Sequence, residues 1–190
     1  MRFDPGYAIQ LTWLIFLAYW ILAGLRVNKM ERSEPAGERA ARILAILVAF
    51  ILLYDEDPRC SILGGRFIPE RDWIFATGSA LTFAGVAFAI WARYHTAQYW
   101  SASVVLRAGH QLIRTGPYAR IRHPIYTGML QAVAGTALAI GRYRALAAFA
   151  IILAGFIWKS KREEKLLGSQ FGSAFDEHRR HLGFILPRFS

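Results

Sequence analysis

Three short polar stretches carry the side chains in this chain that could do chemistry. The first, Arg114–Thr127, reads RTGPYARIRHPIYT and leads straight into a long apolar run. It gathers an imidazole, two phenols and several cationic donors. His123 precedes Pro124; a residue before proline is pushed out of the helical region, and proline suits the first helical position. His123 is therefore expected at the mouth of a helix whose free first-turn N–H groups attract anions. The second stretch, His110–Ile113, reads HQLI after Gly109. The third, Lys159–Glu164, reads KSKREE. Lys159 and Glu163 are spaced i,i+4 and share a helix face, whereas Glu164 points about 100° away.

Each stretch also has a plainer reading. RHPxY could be only a basic loop capping a membrane helix. Lys159 and Glu163 could form a surface salt bridge at the end of a span. His110 and His123 could be loop histidines bonded to backbone. Two histidines and a glutamate raise the question of zinc, but their separations match no closed zinc pattern, and no metal site is expected. The acidic run Asp55–Asp57 reads as a solvated loop, since it has no fixed ligand spacing.

The elements that position these groups follow from composition. The chain has 190 residues, enough for one domain. Hydrophobic residues make up 55% and aromatic residues 14%, and mean hydropathy is +0.27. These values point to membrane spans. A net charge of +10 would suit nucleic acid, but the basic residues fall in short loops between apolar runs. That is the pattern of positive-inside loops, so no nucleic-acid partner is expected. With Cys60 the only cysteine, an internal disulfide and a multi-cysteine metal site are both excluded. The first apolar run is too long for a cleaved signal segment and is expected to stay.

Five spans are expected, over about 7–27, 40–54, 73–94, 125–140 and 146–158. In the first, Trp13, Tyr19 and Trp20 read either as interfacial anchors or as helix-packing residues. The second is short for a span, but mismatch is tolerated. The third carries Gly78, Ser79, Ala80, Ala84, Gly85 and Ala87, small residues that allow close helix packing. Only Gly141–Ala145 separates the fourth and fifth, which should form a hairpin. Beyond Trp158, Leu167, Phe171, Phe175 and Leu182 recur at near-helical spacing among basic residues. They describe an amphipathic helix on a membrane surface or against the loop region.

Loop charge sets orientation. Arg26, Lys29, Arg32, Arg39 and Arg42 lie in or beside the linker after the first span, and the loop after the third span and the tail are also basic. The N-terminus is expected outside and the C-terminus in the cytoplasm. Arg142 and Arg144, in the outer turn, weakly oppose the rule. The hairpin goes out on the fourth span and returns on the fifth, so it brings Tyr118 and His123–Tyr126 to the same side as Lys159–Glu164.

At these residues the chain resembles a known family. GHQLIRTGPYARIRHPIYTG, a tight apolar hairpin, and EEKLLGSQFGSAFDEH are similar to the isoprenylcysteine carboxyl methyltransferases and their prokaryotic relatives, a wider group that includes phospholipid N-methyltransferases. The likeness covers about the last half of the chain. It implies an integral membrane enzyme using S-adenosyl-L-methionine, with a cytoplasmic cofactor pocket from 100–126 and 159–188. It implies cofactor contacts from His110, Gln111, Leu112, Ile113, Tyr118, His123, Pro124, Ile125, Tyr126 and Glu163. Where the family usually places an arginine that orients the substrate carboxylate, this chain has Lys159. Lysine is a point charge without the bidentate fork. Arg162 is the nearby substitute.

The reading is an all-α integral membrane protein, one domain over 1–190, multi-pass, and in the cell membrane if prokaryotic. It methylates the carboxyl group of a prenylcysteine-like or other amphiphilic substrate, lipid-like or attached to a protein, among membrane lipids. Two alternatives stand beside it. One is a phospholipid N- or thiol S-methyltransferase; the other is a non-catalytic membrane scaffold.

Overall fold

The computed structural model describes residues 6–25, 36–54, 61–96 and 114–188. His110, Gln111, Leu112 and Ile113 lie outside the described residues. The elements are α1 (Gly6–Gly24), α2 (Ala36–Tyr54), α3 (Ser61–Gly64), α4 (Asp72–Thr96), α5 (Pro124–Ile140), α6 (Tyr143–Phe171) and α7 (Ser173–His181), with a 3-10 turn over Gly116–Ala119. Among the described residues there is no strand, only isolated bridges between Arg66 and Arg142 and between Ile121 and Gly183. Among the described residues, three helices are long and apolar enough to cross a membrane, over Tyr7–Gly24, Asp72–Thr96 and Tyr143–Phe171. The apolar α5 is shorter, at 17 residues. The helix α2 opens on the charged residues Glu38, Arg39 and Arg42.

The centre of the bundle is α4 against α5. Gly78 and Gly85 on α4 face Gly135 and Gly128 on α5. A Cβ on Gly85 would stand 2.4 Å from the Ala132 nitrogen, and one on Gly135 would stand 2.5 Å from the Thr82 nitrogen. Two backbones touch because no side chain intervenes, as small-residue packing of membrane helices allows. A polar seam runs between these contacts. The Thr82 and Thr136 hydroxyls meet at 3.2 Å, and Trp13 Nε1 donates to Thr136 Oγ1 at 3.1 Å. Trp13 and Trp20 are thus packing residues: with Phe16 they lie against Val86, Ala89 and Ala132.

On the other flank, Ala49 and Leu53 of α2 pack with Ala145 and Ala148 of α6. Arg144 donates to the carbonyls of Leu52 and Leu53, both at 3.0 Å, and Arg142 donates to that of Gly64 at 2.8 Å. The arginines of the α5–α6 turn thus satisfy carbonyls at the C-terminal ends of α2 and α3.

The helix that holds the fifth apolar run continues past Trp158: α6 reaches Phe171 and breaks only at Gly172, whose φ is +52°. A change of polarity marks where a membrane would end, but KSKREEKLL is made of good helix formers and does not stop the backbone. The amphipathic segment is therefore split. Its Phe175 is buried, packed 3.8 Å from where a Gly168 Cβ would stand, so α7 folds back on α6.

Candidate active site

Successive helices bring one set of ends together. Arg93 near the end of α4 donates to the Ala23 carbonyl of α1. Arg162 of α6 pairs with Glu38 of α2. The 3-10 turn leads from this end into α5. Gly116 within it has φ +57°, and a Cβ there would sit 2.3 Å from His95 Nε2, so both the backbone and the packing demand glycine.

A strap holds the mouth of α5. The Arg122 and His123 amides donate to the Gly183 and Phe184 carbonyls at 2.9 and 3.2 Å, and the Gly183 amide returns a bond to the Arg120 carbonyl at 3.2 Å. Thr127 Oγ1 donates to the Ile185 carbonyl. The strap fixes His123 as the residue before the first helical position, as the His-Pro pair predicts. Phe184 packs edge-on against the His123 ring, with centroids 5.2 Å apart, and the Arg122 guanidinium lies over the same phenyl ring at 5.1 Å.

Four of the expected residues converge here. Tyr126 Oη donates to Glu163 Oε1 at 2.6 Å. Lys159 Nζ stands 3.5 Å from the same oxygen. His123 Nδ1 stands 3.7 Å from Glu163 Oε2. Lys159 is buried and lies over the Tyr126 ring, 5.1 Å from its centroid, where cation and π face attract. The Tyr126 ring stacks on His123 and on Phe156, with centroids 5.7 and 4.7 Å apart. Tyr118, Met129 and Trp20 pack around this group, and Pro124 and Ile125 are buried beneath it. Burial, and then the charge of Glu163, push the Tyr118 phenol well above its ordinary range, while its hydrogen bond with Thr96 and the Arg93 charge pull the other way. Tyr118 is thus a neutral hydroxyl at working pH.

Two charged residues lie differently from expectation. Glu164, taken to point away, also reaches the imidazole: its Oε1 lies 3.0 Å from His123 Nε2 and 2.7 Å from Arg122 NH1. The His123 ring sits between adjacent carboxylates and meets one with each nitrogen. Arg162 is not brought to this cluster. It pairs with Glu38, and its guanidinium lies over the Trp158 ring at 5.1 Å. Sequence reasoning missed Arg122 and Phe184. The adjacency of Arg122 to His123 was a usable signal; nothing local marked Phe184. Among the described residues, no group of three or more His, Cys, Asp or Glu is placed to hold a metal ion.

Residues 79–169 match the isoprenylcysteine carboxyl methyltransferase (ICMT) family. The protein-S-isoprenylcysteine O-methyltransferase of Schizosaccharomyces pombe is 28% identical over 195 residues, covering 94% of this chain and 72% of that protein. The likeness is to the isoprenylcysteine carboxyl methyltransferase family. A second relative, the cobalt-zinc-cadmium resistance protein CzcN of Cupriavidus metallidurans, is 29% identical over 178 residues, covering 86% of this chain and 75% of the relative. The structure of a eukaryotic intramembrane Ras methyltransferase ICMT shares the fold. Its TM-score is 0.53 at 22% identity, over 81% of this chain. This chain spans 53% of the length of that one, about half. The region matched to the ICMT family runs from α4 into α6 and contains Tyr118, His123, Tyr126, Lys159 and Glu163.

Proposed function

We propose that this protein is a membrane methyltransferase of the ICMT family. It moves a methyl group from S-adenosyl-L-methionine to the carboxylate of a prenylcysteine-like or other amphiphilic substrate. The observation that carries this reading is the meeting of His123, ahead of α5, with Glu163, past the apolar half of α6. The residues present fit such a donor. Glu163 keeps 23% of its side chain exposed and can accept from hydroxyl or ammonium groups. Phe156, half-buried and stacked on Tyr126, offers an aromatic face suited to a sulfonium. Ser160 Oγ is buried on the same helix as Glu163, with no hydrogen-bond partner among the described residues.

S-adenosyl-L-methionine supplies an electrophilic methyl on a cationic sulfur. An acceptor carboxylate would take that methyl with no proton to lose, so the protein need not supply a base. Lys159 would hold the acceptor carboxylate by charge. Glu163 and His123 would hold the donor, and the aromatic side chains would exclude water, so positioning would supply most of the acceleration. In this reading the segment 159–188 closes the pocket.

In this reading the chain is one membrane domain with five crossings, α1, α2, α4, α5 and α6. Its N-terminus is outside, and the site and tail are in the cytoplasm. In a prokaryote the membrane is the cell membrane. Lipid-like acceptors enter sideways between helices.

The test is transfer of a radiolabelled methyl to a panel of prenylcysteine, phospholipid and thiol acceptors. Wild type labels the prenylcysteine carboxylate. Lys159→Ala lowers that labelling by about tenfold to a hundredfold, the scale of a lost charged hydrogen bond, and leaves any amine or thiol labelling in place. Labelling of phospholipid amine alone, indifferent to Lys159, would contradict the carboxyl assignment.

A further inference from the structure

We infer that Glu164 is a positioning residue that fixes which nitrogen of His123 faces the donor site. Arg122 NH1, 2.7 Å away, keeps the Glu164 carboxylate ionised. An ionised carboxylate only accepts, so the hydrogen of the 3.0 Å contact sits on His123 Nε2. In the neutral ring Nδ1 is then the acceptor. It stands 3.7 Å from Glu163 Oε2, too far for a hydrogen bond between them. Two acceptors thus present themselves side by side, an arrangement suited to the ammonium or hydroxyl hydrogens of one ligand.

The support around Glu164 is rigid. Its side chain is only 13% exposed, against 23% for Glu163. It joins α6 to the segment Arg122–His123, which the Gly183–Phe184 strap holds from the other side. Without Glu164, the hydrogen of His123 has a better place on Nδ1, toward the negative charge of Glu163. That tautomer would remove Nδ1 from the acceptor pair. The side-by-side glutamates therefore divide the work: Glu163 faces the ligand, and Glu164 sets the ring that stands beside it.

The kinetic part of this inference rests on the methyl-transfer reading; the tautomer does not. The direct test is the nitrogen NMR spectrum of the full-length protein with 15N-labelled histidine, taken above the pH at which the rings titrate. The His123 signals are assigned by their loss in His123→Gln. Wild type should show the hydrogen on Nε2. Glu164→Ala should move it to Nδ1, and Glu164→Gln, whose amide both donates and accepts, should give a mixture. If Glu164→Ala does not fold, Glu164→Gln carries the test, since it keeps the volume. In transfer assays either variant should raise KM for the donor about tenfold while KM for the acceptor stays put, since one charged contact is misaligned. An unchanged Nε2–H signal in both variants overturns the inference. So does an altered tautomer with unaltered donor KM in an active enzyme. A wild type that binds no donor strikes the methyl-transfer reading instead, and the spectrum still decides the tautomer.

Discussion

Glu163→Gln is expected to lower methyl transfer by on the order of 10²- to 10³-fold, the scale seen when one preorganised polar contact is removed from a reacting centre. Tyr126 Oη, Lys159 Nζ and His123 Nδ1 all stand within 3.7 Å of its carboxylate oxygens. Glutamine keeps the shape but loses the charge and turns one acceptor into a donor. It can still accept from Tyr126. It can no longer balance Lys159, which is 5% exposed and has its ammonium in the same cluster. A buried cation that loses its counter-charge is costly, so some of the loss will appear as lower thermal stability in detergent. Initial rates with radiolabelled donor separate the effects, because surviving folded enzyme can be counted by size exclusion. A wild-type rate per folded molecule would sink the assignment of Glu163.

Gly85→Leu is expected not to accumulate as folded protein at all, and Gly85→Ala to lose about 1–3 kcal/mol, the usual cost of overpacking. The reason is the 2.4 Å separation between a Cβ at this position and the Ala132 nitrogen: the neighbour is backbone of α5 and cannot swing away. Gly128, on the opposing helix, is as tight, with 2.6 Å to the Ala89 nitrogen. It belongs to the sequence HPIYTG beside the site, and its role is to let α5 lie on α4 so that His123 and Tyr126 meet α6. Gly155→Ala is the control. Nothing lies within 4 Å of a Cβ there, and alanine is the better helix former by roughly 0.5–1 kcal/mol, so this change should be neutral or stabilising. Thermal unfolding of the purified variants reads both signs. Equal melting of Gly85→Ala and wild type would mean that α4 and α5 are not in backbone contact.

Much of the site was legible because its residues announce their own geometry. His123 before Pro124 marks a helix mouth, and the spacing of Lys159 and Glu163 puts both on one face. A short turn between two apolar runs brings them to the same end. What was not legible depends on partners remote in sequence. The angle between Glu163 and Glu164 follows from helical pitch, but whether one ring can touch both depends on where α5 places it. Arg162 reads as a candidate until Glu38, far back in the chain, claims it. The strap at Gly183–Ile185 pairs backbone with backbone and leaves no periodic pattern. The glycines of α4 were visible as small residues, but their matched spacing on α5 becomes meaningful only once the two helices face each other. The end of α6 was not legible from the apolar run over 146–158, because polarity reports the medium around a helix and backbone propensity reports the helix itself.

The most direct measurement is a calorimetric titration of S-adenosyl-L-methionine into the purified protein, with His123→Ala, Glu163→Gln and the double variant alongside. One saturable site is predicted in wild type, weakened by each change. The double variant should lose less than the sum of the single losses, because both side chains grip the same molecule. An absence of saturable binding in wild type, or an affinity that neither substitution alters, would contradict the shared donor site.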